Sequence, residues 1–294
     1  MSVRGLVGFG PGTLAHLYNH AIEQNDLFAT ENDRRVFYEL LLEELPRDQL
    51  AILAWCLIGN HFHLLLRILE DAVAMSVMMR DVQSRYARHH SRTTGRRGAL
   101  HMGRFGRRLV HSDAYARLVV AYIHANRVKD GFWREPTTDP WSSHRAWLGL
   151  VADPLIDLSD RAVLFGDAAG YGAAFDALLP TWTRHDPATL LERTVLRTVS
   201  QLLVHHPALR RYERGLGAAA LVAHAGYTQA QAAARVGLDP SNGARTVRTA
   251  REAGQALLRE LEARLFAPDG VLLAASPGPA PRTTESGRLY LPGR

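Results

Sequence analysis

Apolar and polar positions follow two rhythms along the first half of the chain, and each change of rhythm marks an element. His16 to Asn25, HLYNHAIEQN, alternates as a first strand does. From Asn32 to Leu45, NDRRVFYELLLEEL sets apolar residues at helical spacing behind Asn32, a candidate N-cap. LAILAWCLIGN and HFHLLLRI then read as two antiparallel strands around a tight turn at Gly59 and Asn60. A long amphipathic helix, DAVAMSVMMRDVQSRYARHHSR, follows behind Asp71 as its cap. The Gly-rich basic segment after it ends in a candidate strand, Arg104 to Val110. SDAYARLVVAYIHANRVKDG starts a further helix at Ser112 or Asp113 and stops it at Gly131. The order β-α-β-β-α-β-α predicts an α+β fold, a ferredoxin-like antiparallel sheet with helices on one face.

Beyond residue 150 the rhythm changes. Residues 151–187 hold Gly and Pro with weak periodicity and read as a connector. From Ala188 to about Phe266 the pattern is all helical. Within it, TQAQAAARVGLDPSNGARTVRTAREAGQALLREL has a helix-turn-helix pattern: an Ala-rich helix ending at Gly237, then Asp239 as cap with Pro240 at the first position of the next helix. Residues 267–294 hold five Pro and four Gly and read as a flexible tail. The expected division is therefore a domain at 1–150, a connector at 151–187, an all-α helix-turn-helix domain at 188–266 and a tail at 267–294.

Composition adds limits. A chain of 294 residues has room for two domains with buried cores. A hydrophobic content of 47% with 22% charged residues is that of a soluble globular protein. No apolar run approaches the ~20 residues of a membrane span, and MSVRGLVGFGPG lacks the apolar core of a secretory signal. Cys56 is the only cysteine and cannot form an internal disulfide, which fits a reducing cytoplasm.

The net charge of +6 favours a polyanionic partner. Lys129 is the only lysine, and the guanidinium fork suits phosphate, although GC-rich coding also yields arginine. Placement is more telling. Between Arg80 and Arg108 nine arginines face one acid, Asp81. A solvated helix face mixes signs, whereas a one-signed run reads as a phosphate-backbone groove. Arg85, Arg88, Arg92, Arg96, Arg97, Arg104, Arg107 and Arg108 are thus candidate DNA contacts. Arg245, Arg248 and Arg251, three apart, line one face of the second helix of the helix-turn-helix and suit a major groove. The other reading of that region is a plain helical bundle with surface arginines.

Candidate chemistry starts at His61 and His63. Strand alternation turns both to one side and Phe62 to the core, so the two imidazoles can share a divalent metal. An HxH also arises by chance in a chain with 14 histidines. Tyr122 and Asn126, four apart, share one helix face. With Tyr115, Leu118 and Val119 close to that face, the stripe reads either as core or as a tyrosine nucleophile beside an amide that offers its oxygen to a metal.

Together these segments resemble the HUH-type single-tyrosine transposases, most closely the REP-associated tyrosine transposase branch, over about residues 10–150. LYNHAIEQNDLFATENDRRVFYELL resembles the family's opening strand and helix. CLIGNHFHLLL resembles its MPNHxH turn and histidine pair, GRF its later strand, YIHANRV its YIxxNPVxxG tyrosine helix and DPWSSHRAWLG its closing YxWSSxxxYxG segment. Three positions depart from the pattern. Ile58-Gly59 replaces Met-Pro, Arg127 stands where proline follows the asparagine, and His20 takes a place often held by Arg.

The resemblance implies an HUH catalytic domain in which His61 and His63 hold Mg²⁺ or Mn²⁺ with Asn126 as third ligand. Tyr122 is then the nucleophile that forms a 5′-phosphotyrosine on single-stranded DNA hairpins of REP-like repeats. It implies no other cofactor, no membrane partner, a monomer or homodimer, and a cytoplasmic, nucleoid-associated location. The C-terminal helices resemble a replication-initiator-like or Trp-repressor-like helix-turn-helix and so imply contact with duplex DNA. Two other classes compete: a catalytically silent DNA-binding regulator that retains the fold, and an RNA-binding module. Against the second, the candidate strands hold no RNP-type aromatic pair.

Overall fold

A computed structural model describes residues 8–22, 26–95, 98–101, 103–129, 131, 134–181, 187–239, 242–266, 282–283 and 289–290. These form two compact units: Met1–Val110 with Val119–Phe175, and His111–Leu118 with Asp176–Arg294.

The first unit is built on four strands, β1 (Leu14–His20), β2 (Leu50–Ile58), β3 (His61–Ile68) and β4 (Gly106–Val110). Their order is β2-β3-β1-β4 and every pair is antiparallel, the ferredoxin-like arrangement expected from the element order. Two helices connect them, α1 (Glu31–Glu44) and α2 (Ala72–Thr94). On one face of the sheet Phe62, Leu64 and Leu66 of β3 join Ala15, Leu17, Trp55 and Leu57 in a core closed by Phe37 and Leu41 of α1 and Met75, Met79 and Val82 of α2. The Phe37 ring lies 5.0 Å from that of Phe62. A fully buried Phe or Leu is worth roughly 1.5–3 kcal/mol, so this face carries most of what holds both helices down.

Local signals set the helix ends. α1 starts two residues earlier than the Asn32 cap expected from the sequence. Thr30 is the cap: its hydroxyl accepts the Asp33 N–H at 3.2 Å while the Asp33 carboxylate accepts the Thr30 N–H at 2.8 Å. Asp33 takes the part that Glu or Gln usually plays in a capping box. α2 starts behind Asp71 as expected and ends at Gly95, whose φ of 69° suits a residue without Cβ. The first strand is earlier and shorter than HLYNHAIEQN suggested, because pairing with β3 runs from Leu14 to His20.

The helix that follows β4 is α3 (Asp113–Lys129), and the boundary between the units falls within it. Ser112 caps it, its hydroxyl accepting the Tyr115 N–H at 3.2 Å. After α3 the chain runs along the outer edge of β2. Leu57 N–H donates to the Trp141 carbonyl at 3.0 Å and Ser143 N–H to that of Trp55 at 3.0 Å. This covers an edge that otherwise leaves its backbone groups open to pairing.

The segment 151–187, expected as a connector, holds structure of its own. Behind α4 (His144–Trp147) come α5 (Arg161–Phe165) and α6 (Ala168–Leu178), and the first unit runs on to Phe175. Rings of Trp147, Phe165, Tyr171 and Phe175 pack together, with Trp147 and Tyr171 centroids 5.2 Å apart.

The second unit contains α7 (Pro187–His205), α8 (Glu213–His224), α9 (Gln229–Arg235), α10 (Gly243–Ala253) and α11 (Gln255–Phe266). α8 packs against α7, α9 and α10. Glycine allows this closeness: a Cβ on Gly215 would lie 2.5 Å from that of Ala250, and one on Gly243 2.9 Å from that of Ala233. α10 begins at Gly243 behind Asn242; Pro240, expected as the first position of this helix, lies outside the described residues. In the tail, β5 (Arg282–Thr283) pairs with β6 (Leu289–Tyr290), and the rest lies outside the described residues. Among the described residues no helix is long and apolar enough to cross a membrane.

Candidate active site

The sheet face opposite the Phe62 core is lined with imidazoles. Strand register places His20 across from His61 and Tyr18 across from His63 on β1 and β3, with His16 two residues further along β1. The His20 and His61 rings stack at 4.8 Å between centroids, those of His61 and His63 meet edge-on at 5.1 Å, and those of His16 and His63 lie 5.1 Å apart. His61 and His63 therefore share a face as the sequence required. They are also buried, at 8% and 5% exposure, because they do not face open solvent.

α3 brings Tyr122 to this face. Its ring sits edge-on to His63 with 5.5 Å between centroids and 6.4 Å from His16. Lys129, two turns on, places its ammonium 5.2 Å from the centre of the Tyr122 ring. Asn126 lies one turn after Tyr122, and its Nδ2 donates to the Tyr122 carbonyl at 2.8 Å. That bond commits the amide nitrogen to the helix and leaves Oδ1 as the atom with ligand character. Tyr122 thus joins the histidine pair, while the hydrogen bond of Asn126 ties it to its own helix.

Protonation states follow from burial. Desolvation, aided by His20 and Lys129, pushes His61 down to about 3. His63 is held well below its ordinary value by burial first and then by His16, His61, His20 and Lys129. Burial and then Arg108 bring His16 down to about 3. All three are neutral at pH 7, the state a metal ligand needs. The Nδ1 of His61 is 2.6 Å from Oδ1 of Asn60, an oxygen that only accepts. The proton is therefore on Nδ1 and the lone pair on Nε2.

Two neutral imidazoles on one sheet face fit a divalent ion that keeps open positions for oxygen donors. Mn²⁺ tolerates nitrogen ligands better than the harder Mg²⁺. Among the described residues no group of three or more His, Cys, Asp or Glu is arranged to hold a metal. A metal here would depend on the amide, on water and on substrate oxygens beyond the two histidines.

The arginine run does not form one stripe beside the histidines. α2 packs with α1 on the opposite face of the sheet, and Arg85 is neutralised there by Glu43 at 2.6 Å and Glu44 at 2.5 Å. Arg88 and Arg92 are exposed on α2, and Arg104 is exposed before β4. On β4, alternation divides neighbours: Arg108 pairs with His16 and shares the imidazole face, whereas Arg107 pairs with Leu17. Arg96 and Arg97 lie outside the described residues.

In the second unit, Arg245, Arg248 and Arg251 are all exposed on α10, while Gly243, Val247 and Ala250 are its buried positions. The three arginines do line one face. Arg251 also borders a cavity of about 400 Å³ with His111, His224, Arg259 and Glu262.

Reading the sequence missed His16 and Asn60 as partners of the pair. The signal for the first was present, since His16, Tyr18 and His20 repeat at period two on a strand, the spacing that places side chains on one face.

No family model matches the chain, and no curated protein does. Among solved structures the chain is similar to a REP-associated tyrosine transposase bound to a REP hairpin. The TM-score is 0.41 and the identity 20%, over 51% of this chain and 91% of that one.

Proposed function

We propose that the first unit is a metal-dependent DNA-nicking and strand-transfer domain in which Tyr122 is the nucleophile. The observation that carries the proposal is the Tyr122 ring lying 5.5 Å from that of His63, on the sheet face shared with His61.

The substrate class is single-stranded DNA with hairpins, as the sequence resemblance implies. The Tyr122 oxygen attacks the scissile phosphorus, the P–O3′ bond breaks, and the phenolic proton is passed on so that the leaving oxygen ends as a 3′-OH. The product is a 5′-phosphotyrosine. A 3′-OH attacking that ester reverses the exchange, joins the strand and returns the phenol, so no external energy source is needed. A bound divalent cation supplies polarisation of the scissile phosphate. His61 and His63 would hold that ion through Nε2 with Asn126 Oδ1 as third ligand, and Lys129 adds positive charge beside the Tyr122 ring, where the developing phenolate needs it.

The test is incubation with labelled single-stranded hairpin DNA and Mn²⁺ or Mg²⁺, followed by denaturing electrophoresis. Wild-type protein gives a denaturation-resistant adduct, and Tyr122→Phe abolishes it while hairpin binding persists. An adduct that survives in Tyr122→Phe moves the nucleophile elsewhere. The silent-regulator reading draws on the hydrogen bond that Asn126 Nδ2 donates to the Tyr122 carbonyl of its own helix. It predicts hairpin binding without any adduct in the wild type.

A further inference from the structure

A metal can bind the Nε2 of His63 only if the ring carries its proton on Nδ1. An unconstrained neutral histidine prefers the opposite tautomer, with the proton on Nε2, which blocks ligation. Something must reverse that preference. For His61 the Asn60 oxygen does so. For His63 the group at Nδ1 is His16, whose Nε2 lies 3.0 Å away.

We propose that His16 is a positioning residue for His63, accepting its Nδ1–H so that Nε2 stays bare and aimed with that of His61. His16 then carries its own proton on Nδ1. The pair is buried, with His16 and His63 both at 5% exposure, so water does not substitute for either partner. The two side chains come from different strands, which fixes the ring plane of His63 as well as its tautomer. Such outer partners orient ligand histidines and raise their basicity. Nothing in the bond itself touches substrate. The inference rests on the reading of His63 as a metal ligand, but the state of its ring can be measured without any metal.

The experiment compares the full chain with His16→Leu and His16→Gln. Leu is similar in volume and cannot accept. Gln places an amide oxygen close to the former Nε2 and can. Ring ¹⁵N shifts of His63, recorded metal-free at neutral pH, report which nitrogen holds the proton. The wild type should show a protonated Nδ1 and a bare Nε2, His16→Leu a shift toward the Nε2–H form, and His16→Gln the wild-type pattern. Mn²⁺ titration followed by electron paramagnetic resonance should show affinity about 10–100-fold lower in His16→Leu and largely restored in His16→Gln. Far-ultraviolet circular dichroism confirms that each variant folds.

Two results overturn the proposal: an Nε2–H His63 in the wild type, or a wild-type ¹⁵N pattern that persists in His16→Leu. If the tautomer responds as stated while wild-type protein takes up no Mn²⁺, His16 still sets the ring and the metal chemistry proposed above is what fails.

Discussion

Arg127 brings a full charge into a place where it is only 4% exposed. Its Nε donates to both carboxylate oxygens of Asp139, at 2.9 and 2.8 Å, and its Nη1 to the Leu57 carbonyl at 2.9 Å. Leu57 is next to Ile58, which pairs with His61, so the residue after Asn126 is bolted to the strand beside the histidine pair. Removing one partner of such a buried pair leaves the other charge stranded, at a cost of about 3–5 kcal/mol. Arg127→Met should therefore destabilise the first unit by about that much, toward the lower end because Arg34 is close enough to feel Asp139. Arg127→Met with Asp139→Leu should recover most of the loss. Urea titration followed by tryptophan fluorescence is the measurement, since four of the five tryptophans fall in the first unit's ranges. At this scale the sequence shows His61 and His63 plainly, because period two on a strand is a local rule. It shows Arg127 only as a missing proline. Its partner is twelve residues on, and nothing local links a guanidinium to Asp139 or His16 to His63 across 47 residues of chain.

Elements divide what the sequence ran together. The arginine-rich stretch from Arg80 to Arg108 is continuous in sequence, yet a helix and a strand of a ferredoxin-like unit distribute it over both sheet faces. Charge density along a chain says nothing of sides. α10 is the opposite case, because three-residue spacing within one helix survives folding, and Arg245, Arg248 and Arg251 stay on one exposed face. If that face meets duplex DNA, replacing all three with Ala should weaken duplex binding and reduce the steepness of its salt dependence by about three phosphate contacts. Fluorescence anisotropy over a range of salt concentrations measures both, and an unchanged slope would exclude the role. The order β-α-β-β-α-β-α was readable because each of those helices runs 14 residues or more. α4 and α5 span four and five residues, too few turns for periodicity to emerge, and α6, AAGYGAAFDAL, has one charged residue and so no polar face to set off an apolar one. Aromatic packing, not amphipathic pattern, holds that segment.

Across the molecule, the first unit stores an unusual share of its polar groups as buried neutral imidazoles. Burial lowers His16 and His61 to about 3 and His101 and His144 to about 4. It holds His63 and His124 well below the ordinary 6.5. His124 is fixed by Ser143 Oγ at 2.7 Å and by the Tyr171 hydroxyl at 2.6 Å, which also bonds His144 at 2.5 Å. The sign follows from linkage. Unfolded histidines take up protons as pH falls through 6.5, while the folded ones resist until about 3 to 4. Stability from these groups is complete above pH 6.5 and is lost progressively below it. Two buried carboxylates act differently: Asp33, lowered from 3.8, gives up its share only in more acidic solution, whereas burial raises Asp139, which offsets part of the histidines' loss as pH falls. Between pH 6.5 and 4.5 the histidines, being several against one such carboxylate, set the sign. Tm of the first unit, followed by tryptophan fluorescence with a chelator present, should stay level from pH 8 to 7 and fall by at least about 5 °C by pH 5. His144→Asn, which cannot titrate, should make the acid slope shallower. A Tm that holds or rises on acidification would mean that the folded chain accepts protons as readily as the unfolded one. The imidazole face would then be an open, solvated surface and not the enclosed ligand set that the chemistry proposed for Tyr122 requires.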